Sequence, residues 1–442
     1  MVFPWIFITI ALVLSLVFSL PIFEDFLFTS AEPFGDNYPH SYPIVKNRNF
    51  TVEVITTDIE FPTTMQFIDD NILVLEKNSG MVKSIVNGKT QPEPLFHTSV
   101  LNQSERGMLG IATVRDKMNT KVYLYFTETG QEGEAHNRLY RYNLVNNKLV
   151  HPELLLDLPG EPGARHNGGV LKIGPDGNLY LIIGDVNDGN DRARNQNMTE
   201  MNGIAGIMRI GQNGERLGIL GDKYPLNLYY AYGIRNSFGF DFDPVTGYLW
   251  DTENGEINND EINVVLPGFN SGFHQIQGMS PSEDKFNPDS LEDFNRKGKY
   301  SDPEFVWNYT VGPTAVKFLT SDKYGKEYQN DLLVGDFNNG YLYHFDLNEN
   351  RTALELSGSL EDKIADTPYE QEGTVFGKGF GPITDIKVGT DGYLYVLSIS
   401  KPGEKSGYIC GKNLQYTECL NPYHYPVKGT LFKIVPAGVS NK

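Results

Sequence analysis

Pro175-Asp176-Gly177-Asn178-Leu179-Tyr180-Leu181 reads as a tight turn running into a strand. Asp-Gly supplies the positive φ that a short hairpin needs, and the apolar residues after it favour extended backbone. The signature recurs at Asp69-Asp70-Asn71-Ile72-Leu73-Val74-Leu75, at Asn119-Thr120-Lys121-Val122-Tyr123-Leu124-Tyr125 and at Pro244-Val245-Thr246-Gly247-Tyr248-Leu249-Trp250. Two more copies are Gln329-Asn330-Asp331-Leu332-Leu333-Val334 and Thr390-Asp391-Gly392-Tyr393-Leu394-Tyr395-Val396. Repeats roughly 65 residues apart leave room for four strands with their loops. The pattern predicts an all-β chain whose residues 50–442 form a six-bladed β-propeller with four strands per blade.

Composition agrees. Of 442 residues, 40% are hydrophobic, enough for a large core, which excludes global disorder. The 37 Lys and Arg against 56 Asp and Glu give a net charge of −19, which excludes a nucleic-acid partner, since phosphate binding needs a basic face. Two cysteines exclude a disulfide-rich scaffold and a Cys₄ zinc site. Cys410 and Cys419 either close a small loop or remain two buried thiols. Residues 2–23 carry no charged side chain and are long enough to span a bilayer, which predicts a hydrophobic signal-anchor helix or a cleaved signal peptide. Residues 24–49 read as a linker. The expected location is the extracellular side of the membrane, attached through that segment, or secreted.

Blades converge on a central channel, so polar residues at the inner-strand ends can meet there. Three clusters qualify. In Ala164-Arg165-His166-Asn167-Gly168-Gly169, the histidine has the chemistry of a general base near neutral pH, although a lone His is more often structural. In Gly233-Ile234-Arg235-Asn236-Ser237-Phe238-Gly239, Arg235 offers fixed donors to a carbonyl, carboxylate or oxyanion, or makes an ion pair between blades. In the stretch 253–263, acidic and amide oxygens around Gly255, with no His or Cys nearby, suit Ca²⁺ or form a solvated turn. The run 185–191 is also acidic, but its spacing misses the EF-hand loop.

Together these clusters resemble the glucose/sorbosone dehydrogenase family, whose best-known members are soluble sugar dehydrogenases using pyrroloquinoline quinone (PQQ). The resemblance covers about 61–434. It rests on Glu105-Arg106-Gly107-Met108-Leu109-Gly110-Ile111-Ala112, His166-Asn167-Gly168-Gly169, Gly174-Pro175-Asp176-Gly177 and Gly233-Ile234-Arg235-Asn236, then Asp260-Glu261-Ile262-Asn263 and Gly268-Phe269-Asn270-Ser271-Gly272-Phe273. It implies that His166 is the base removing a sugar hydroxyl proton while hydride passes to PQQ. Arg235 would stabilise the reduced cofactor, with Glu105 and Asn236 beside it. Ca²⁺ would bind backbone oxygens around Gly255 and Glu256, and Glu261 would hold a second, structural Ca²⁺.

The chain departs from the pattern where PQQ-binding members carry basic anchors. Asn338 follows the Leu332-Leu333-Val334 strand in place of a Lys, and Thr384 lies in the stretch where two Arg are usual. Glu256 replaces the Pro of a Gly-Pro pair. Asn338 and Thr384 are still expected at the cofactor, and if PQQ binds, cations must come from Lys378, Lys387, Arg165 or another basic residue near Arg235. The alternative is a cofactor-free propeller that recognises a glycan or a protein; a calcium-dependent hydrolase is a more distant third.

Overall fold

The computed structural model describes residues 42–116, 119–187, 191–196, 201–282, 285–400 and 427–438. The apolar run 2–23 and both cysteines lie outside the described residues. Among the described residues no helix is long and apolar enough to cross a membrane.

The architecture is all-β and propeller-like. The described strands lie in six sheets, and each hairpin copy falls between the first and second strands of one of them. Those pairs are Pro62–Ile68 with Asn71–Glu76, Met108–Asp116 with Asn119–Thr129, and Leu171–Ile173 with Leu179–Ile183. The other three are Gly239–Phe242 with Leu249–Glu253, Pro313–Phe318 with Leu332–Asp336, and Ile383–Val388 with Leu394–Ser398. The Asp-Gly turns show why this chemistry repeats. Asp176 Oδ1 accepts from Asn178 N at 3.0 Å, and Asp391 Oδ1 accepts from Tyr393 N at 3.1 Å. Their second oxygens accept the hydroxyls of Tyr180 and Tyr395, so each turn is tied to the strand it launches. Gly177 and Gly392 take φ of 78° and 77°, which a side chain would strain.

The first strands pack against one another in a ring. Pro62–Ile68 meets both Met108–Asp116 and Ile383–Val388, and Met108–Asp116 meets Leu171–Ile173. Pro313–Phe318 meets both Gly239–Phe242 and Ile383–Val388. The remaining junction is bridged by Lys172 Nζ on Asp241 Oδ1 at 2.9 Å. Apolar residues fill the spaces between neighbouring sheets: Trp250, Phe305, Trp307, Phe318, Tyr343 and Phe345 form one such cluster. Each fully buried large side chain of this kind contributes about 1.5–3 kcal/mol.

The uniform four-strand repeat expected from the sequence is not observed. Two sheets have four strands, and the others are extended by short strands. Ile44–Val45, within the expected linker, pairs with Val375–Lys378, while Phe269–Asn270, Lys299–Tyr300 and Ile364–Ala365 add in parallel. Long loops fold back and cover sheet edges that would otherwise present unpaired backbone. The sheet built on Ile383–Val388 is completed from the other end of the domain: Phe50–Glu60 pairs with Lys428–Pro436, Phe50 opposite Pro436.

Candidate functional site

His166 sits in the loop before Leu171–Ile173 with φ of 62°, followed by Gly168 and Gly169 at 60° and 125°. A Cβ on Gly168 would lie 2.4 Å from the Ile182 carbonyl oxygen, so only glycine lets this loop lie flat on its neighbouring strand. The imidazole is buried, with Nδ1 2.6 Å from Asp185 Oδ1. Asp185 is itself fixed by Arg194 Nε at 3.0 Å and by the Asn187 backbone N–H at 2.9 Å. The ionised carboxylate accepts, so Nδ1 carries the proton and Nε2 keeps the lone pair of a base. The His166 N–H donates to Glu105 Oε2 at 2.5 Å.

Gly184 brings the second cluster against the first. A Cβ there would sit 2.6 Å from the carbonyl oxygens of both His166 and Arg235. The Asp185 N–H donates to Arg235 O at 2.9 Å. Arg235 Nη1 in turn donates to the carbonyls of Asn254 and Gly255, both at 3.0 Å, and its N–H donates to Glu253 Oε1 at 2.6 Å. Asn236 O accepts from Asn254 N at 2.7 Å, and its buried Oδ1 has no partner. Glu105, His166, Arg235, Asn236 and Gly255 are therefore joined by one continuous run of polar contacts through Asp185 and Asn254.

Behind Arg235 lies a buried acidic face. Asp251 is opposite Asn263 and Glu253 opposite Glu261 in the pairing of Leu249–Glu253 with Asp260–Val265. Strand alternation turns all four side chains to the same side. All four are buried. Neither carboxylate oxygen of Asp251 nor Asn263 Oδ1 has a hydrogen-bond partner. Burial, and then the charge of Glu253, push Asp251 and Glu261 well above the carboxylate range. Burial raises Glu253 to about 7, against the pull of hydrogen bonds from Ser271 and the Arg235 N–H. Unpaired buried carboxylates are costly, and this oxygen-rich set suits a hard cation.

Other expected residues lie apart from the run. Glu256 is exposed, with its N–H on Gln277 Oε1 at 2.9 Å. Asn338 is exposed and donates to Thr310 O at 3.3 Å, and Thr384 donates to Leu397 O at 3.4 Å. Lys378 pairs with Glu372 at 3.3 Å and Lys387 with Asp385 at 3.6 Å, so neither supplies the free cation expected beside Arg235. Arg165 is exposed next to His166. Lys77 is buried, bonded to Asn78 Oδ1 and Asn102 O, and burial lowers it to about 7 against the pull of Glu105. Sequence reasoning missed Asp185 as the partner of His166 and missed Asp251, and it took Glu253 only as the first residue of the 253–263 turn. The available signal was acids at alternate positions of an otherwise apolar strand.

The sequence profile described as Glucose / Sorbosone dehydrogenase matches residues 59–407. The chain is 24% identical over 372 residues to the aldose sugar dehydrogenase YliI of Escherichia coli, covering 80% of this chain and 91% of that protein. It is 26% identical over 272 residues to quinoprotein glucose dehydrogenase B of Acinetobacter calcoaceticus, covering 54% and 55%. Its fold is similar to that of the soluble aldose sugar dehydrogenase of Escherichia coli in the apo form, with a TM-score of 0.63 and 22% identity over 88% of this chain and 99% of that one.

Proposed function

Because this chain belongs to the glucose/sorbosone dehydrogenase family, we propose that it is a sugar dehydrogenase in which His166 takes the proton from a sugar hydroxyl and a redox cofactor, when bound, would supply the hydride acceptor. The observation that carries this reading is the buried His166–Asp185 pair beside Arg235. Asp185 fixes the tautomer and stabilises the imidazolium once Nε2 is protonated. Arg235 brings a half-buried guanidinium to the same place, suited to negative charge that develops on the reacting groups. Export of the domain is part of the proposal and rests on the apolar run 2–23.

Calcium suits the residues present. The carbonyls of Asn254 and Gly255 converge on a cation already, the guanidinium of Arg235, and the face of Asp251, Glu253, Glu261 and Asn263 offers buried oxygen donors, those of Asp251 and Asn263 without a hydrogen-bond partner. Chelating divalent ions should therefore lower the melting temperature, and adding Ca²⁺ should restore it. The gain is about 2.7 kcal/mol at a hundredfold excess over Kd. Glu261→Gln should lose most of that increment; a melting curve indifferent to both chelator and Ca²⁺ would remove calcium from the proposal.

PQQ suits them less well. Its three carboxylates need compensating positive charge, yet Asn338 and Thr384 are neutral and Lys378 and Lys387 are paired with acids. The same observation favours the second reading, a cofactor-free propeller that binds a glycan or protein. Losing charge-assisted contacts at about 1.5–3 kcal/mol each implies weak cofactor binding. Titration of the purified protein with PQQ and Ca²⁺, followed by the bound-quinone spectrum, should give saturation only at high micromolar PQQ. No spectral change at those concentrations would favour the binding reading.

A further inference from the structure

A second cluster lies at the far end of the hairpin Leu332–Asp336/Tyr341–Phe345 from the turn that carries Asn338. Leu332 pairs with Phe345 and Leu333 with His344, and continuing that register sets Asp331 opposite Asp346. His344 and Asp346, two residues apart, share a face, so three potential ligands converge from two chain segments. One ligand atom from each lies within 4.8 Å of the others. His344 Nε2 is 2.9 Å from Asp331 Oδ2 and 3.8 Å from Asp346 Oδ1. The rings of Tyr328 and Phe376 lie 5.1 and 6.2 Å from the imidazole and restrict its plane. Its backbone N–H is anchored on Thr374 O at 2.8 Å.

Electrostatics leaves this arrangement short of positive charge. Carboxylates facing each other across a strand pair repel. Among the described residues, His344 is the one basic side chain ion-paired with either of them. Glu355 adds a further negative charge near Asp346. The 2.9 and 3.8 Å separations from His344 Nε2 bracket the roughly 3.3–3.5 Å edges expected of a tetrahedron with metal–ligand bonds of about 2.0–2.2 Å. An imidazole with two carboxylates suits zinc, or manganese next, better than calcium, which prefers oxygen alone. The Asp346 side chain is 59% exposed, which leaves a side open to water as further ligand.

We infer that Asp331, His344 and Asp346 form a divalent transition-metal site, with zinc its best match, separate from the His166 site. The metal would replace repulsion between the two aspartates with shared coordination and fasten the end of this hairpin.

The test is calorimetric titration of the full, chelator-treated protein with Zn²⁺, alongside His344→Ala and Asp346→Asn. The site predicts that each variant binds one zinc equivalent fewer than the wild type, or binds it at least tenfold more weakly. Asp346 is largely exposed, so Asp346→Asn should keep the native circular dichroism spectrum and guards against loss of fold in His344→Ala. Equal zinc stoichiometry and affinity in all three proteins, or no zinc uptake by the wild type up to 100-fold molar excess, would overturn the assignment.

Discussion

Replacing His166 with alanine should lower sugar-dependent turnover by about two to four orders of magnitude, the usual contribution of a positioned general base. The loss should appear in kcat and kcat/KM together, because the proton moves only as the transition state forms. Folding should suffer little. Asp185 keeps Arg194 and the Asn187 N–H when the imidazole is gone, so no buried charge is abandoned. Asp185→Asn should cost less than His166→Ala, since the base remains but its tautomer is no longer enforced. The assay is steady-state oxidation of aldoses in the presence of PQQ, Ca²⁺ and an artificial electron acceptor. A His166→Ala enzyme working within threefold of the wild type would remove His166 from the chemistry.

The largest loss of stability is expected at Asp241. This residue, in Gly239–Phe242, accepts Lys172 Nζ at 2.9 Å, Lys317 Nζ at 2.6 Å and the Phe318 N–H at 3.0 Å. It thus ties the first strands of three sheets. Burial opposes its charge, but the two ammonium groups prevail and hold the carboxyl well below the usual range. Burial lowers Lys172 to about 7 despite the pull of Asp241, with Lys387 and Lys317 adding repulsion. Asp241→Ala leaves two half-buried lysines without their buried counter-ion and should cost about 3–5 kcal/mol, read as a lowered guanidinium midpoint. Replacing Lys172, Asp241 and Lys317 together by Met, Leu and Met should recover much of the loss, because no charge is then buried. A midpoint for Asp241→Ala that corresponds to less than 1 kcal/mol would show that the lysines find other partners.

The hairpins were legible in the sequence because their turn chemistry repeats where the strands alternate. The added strands were not, because a pair such as Phe269–Asn270 or Ile364–Ala365 is too short to show any period. His166 and Arg235 were legible as motif residues. Their union was not, because it depends on Gly184 and Asp185, which lie at the end of the strand beside His166 and touch the backbone of the loop that leads to the next sheet. Asp185 looked like part of an acidic loop, yet its chemistry is set by an imidazole 19 residues earlier. The basic anchors fail for a different reason: Lys378 and Lys387 are near in sequence to the expected positions, but each has an acid within reach on its own segment or strand.

The sheet shared by Phe50–Glu60 and Lys428–Pro436 dictates the order of assembly during synthesis. Phe50 waits for Pro436 to leave the ribosome before it can pair. At translation rates of about 5–20 residues per second, that interval is on the order of tens of seconds. Throughout it, one strand edge of the emerging domain stays open to pairing with another nascent chain. Contacts between such distant positions also slow folding, since a long loop must close before its strands gain from pairing. Truncation before residue 428 therefore removes the latch as well as a strand, and it should leave a chain that aggregates instead of a slightly smaller propeller.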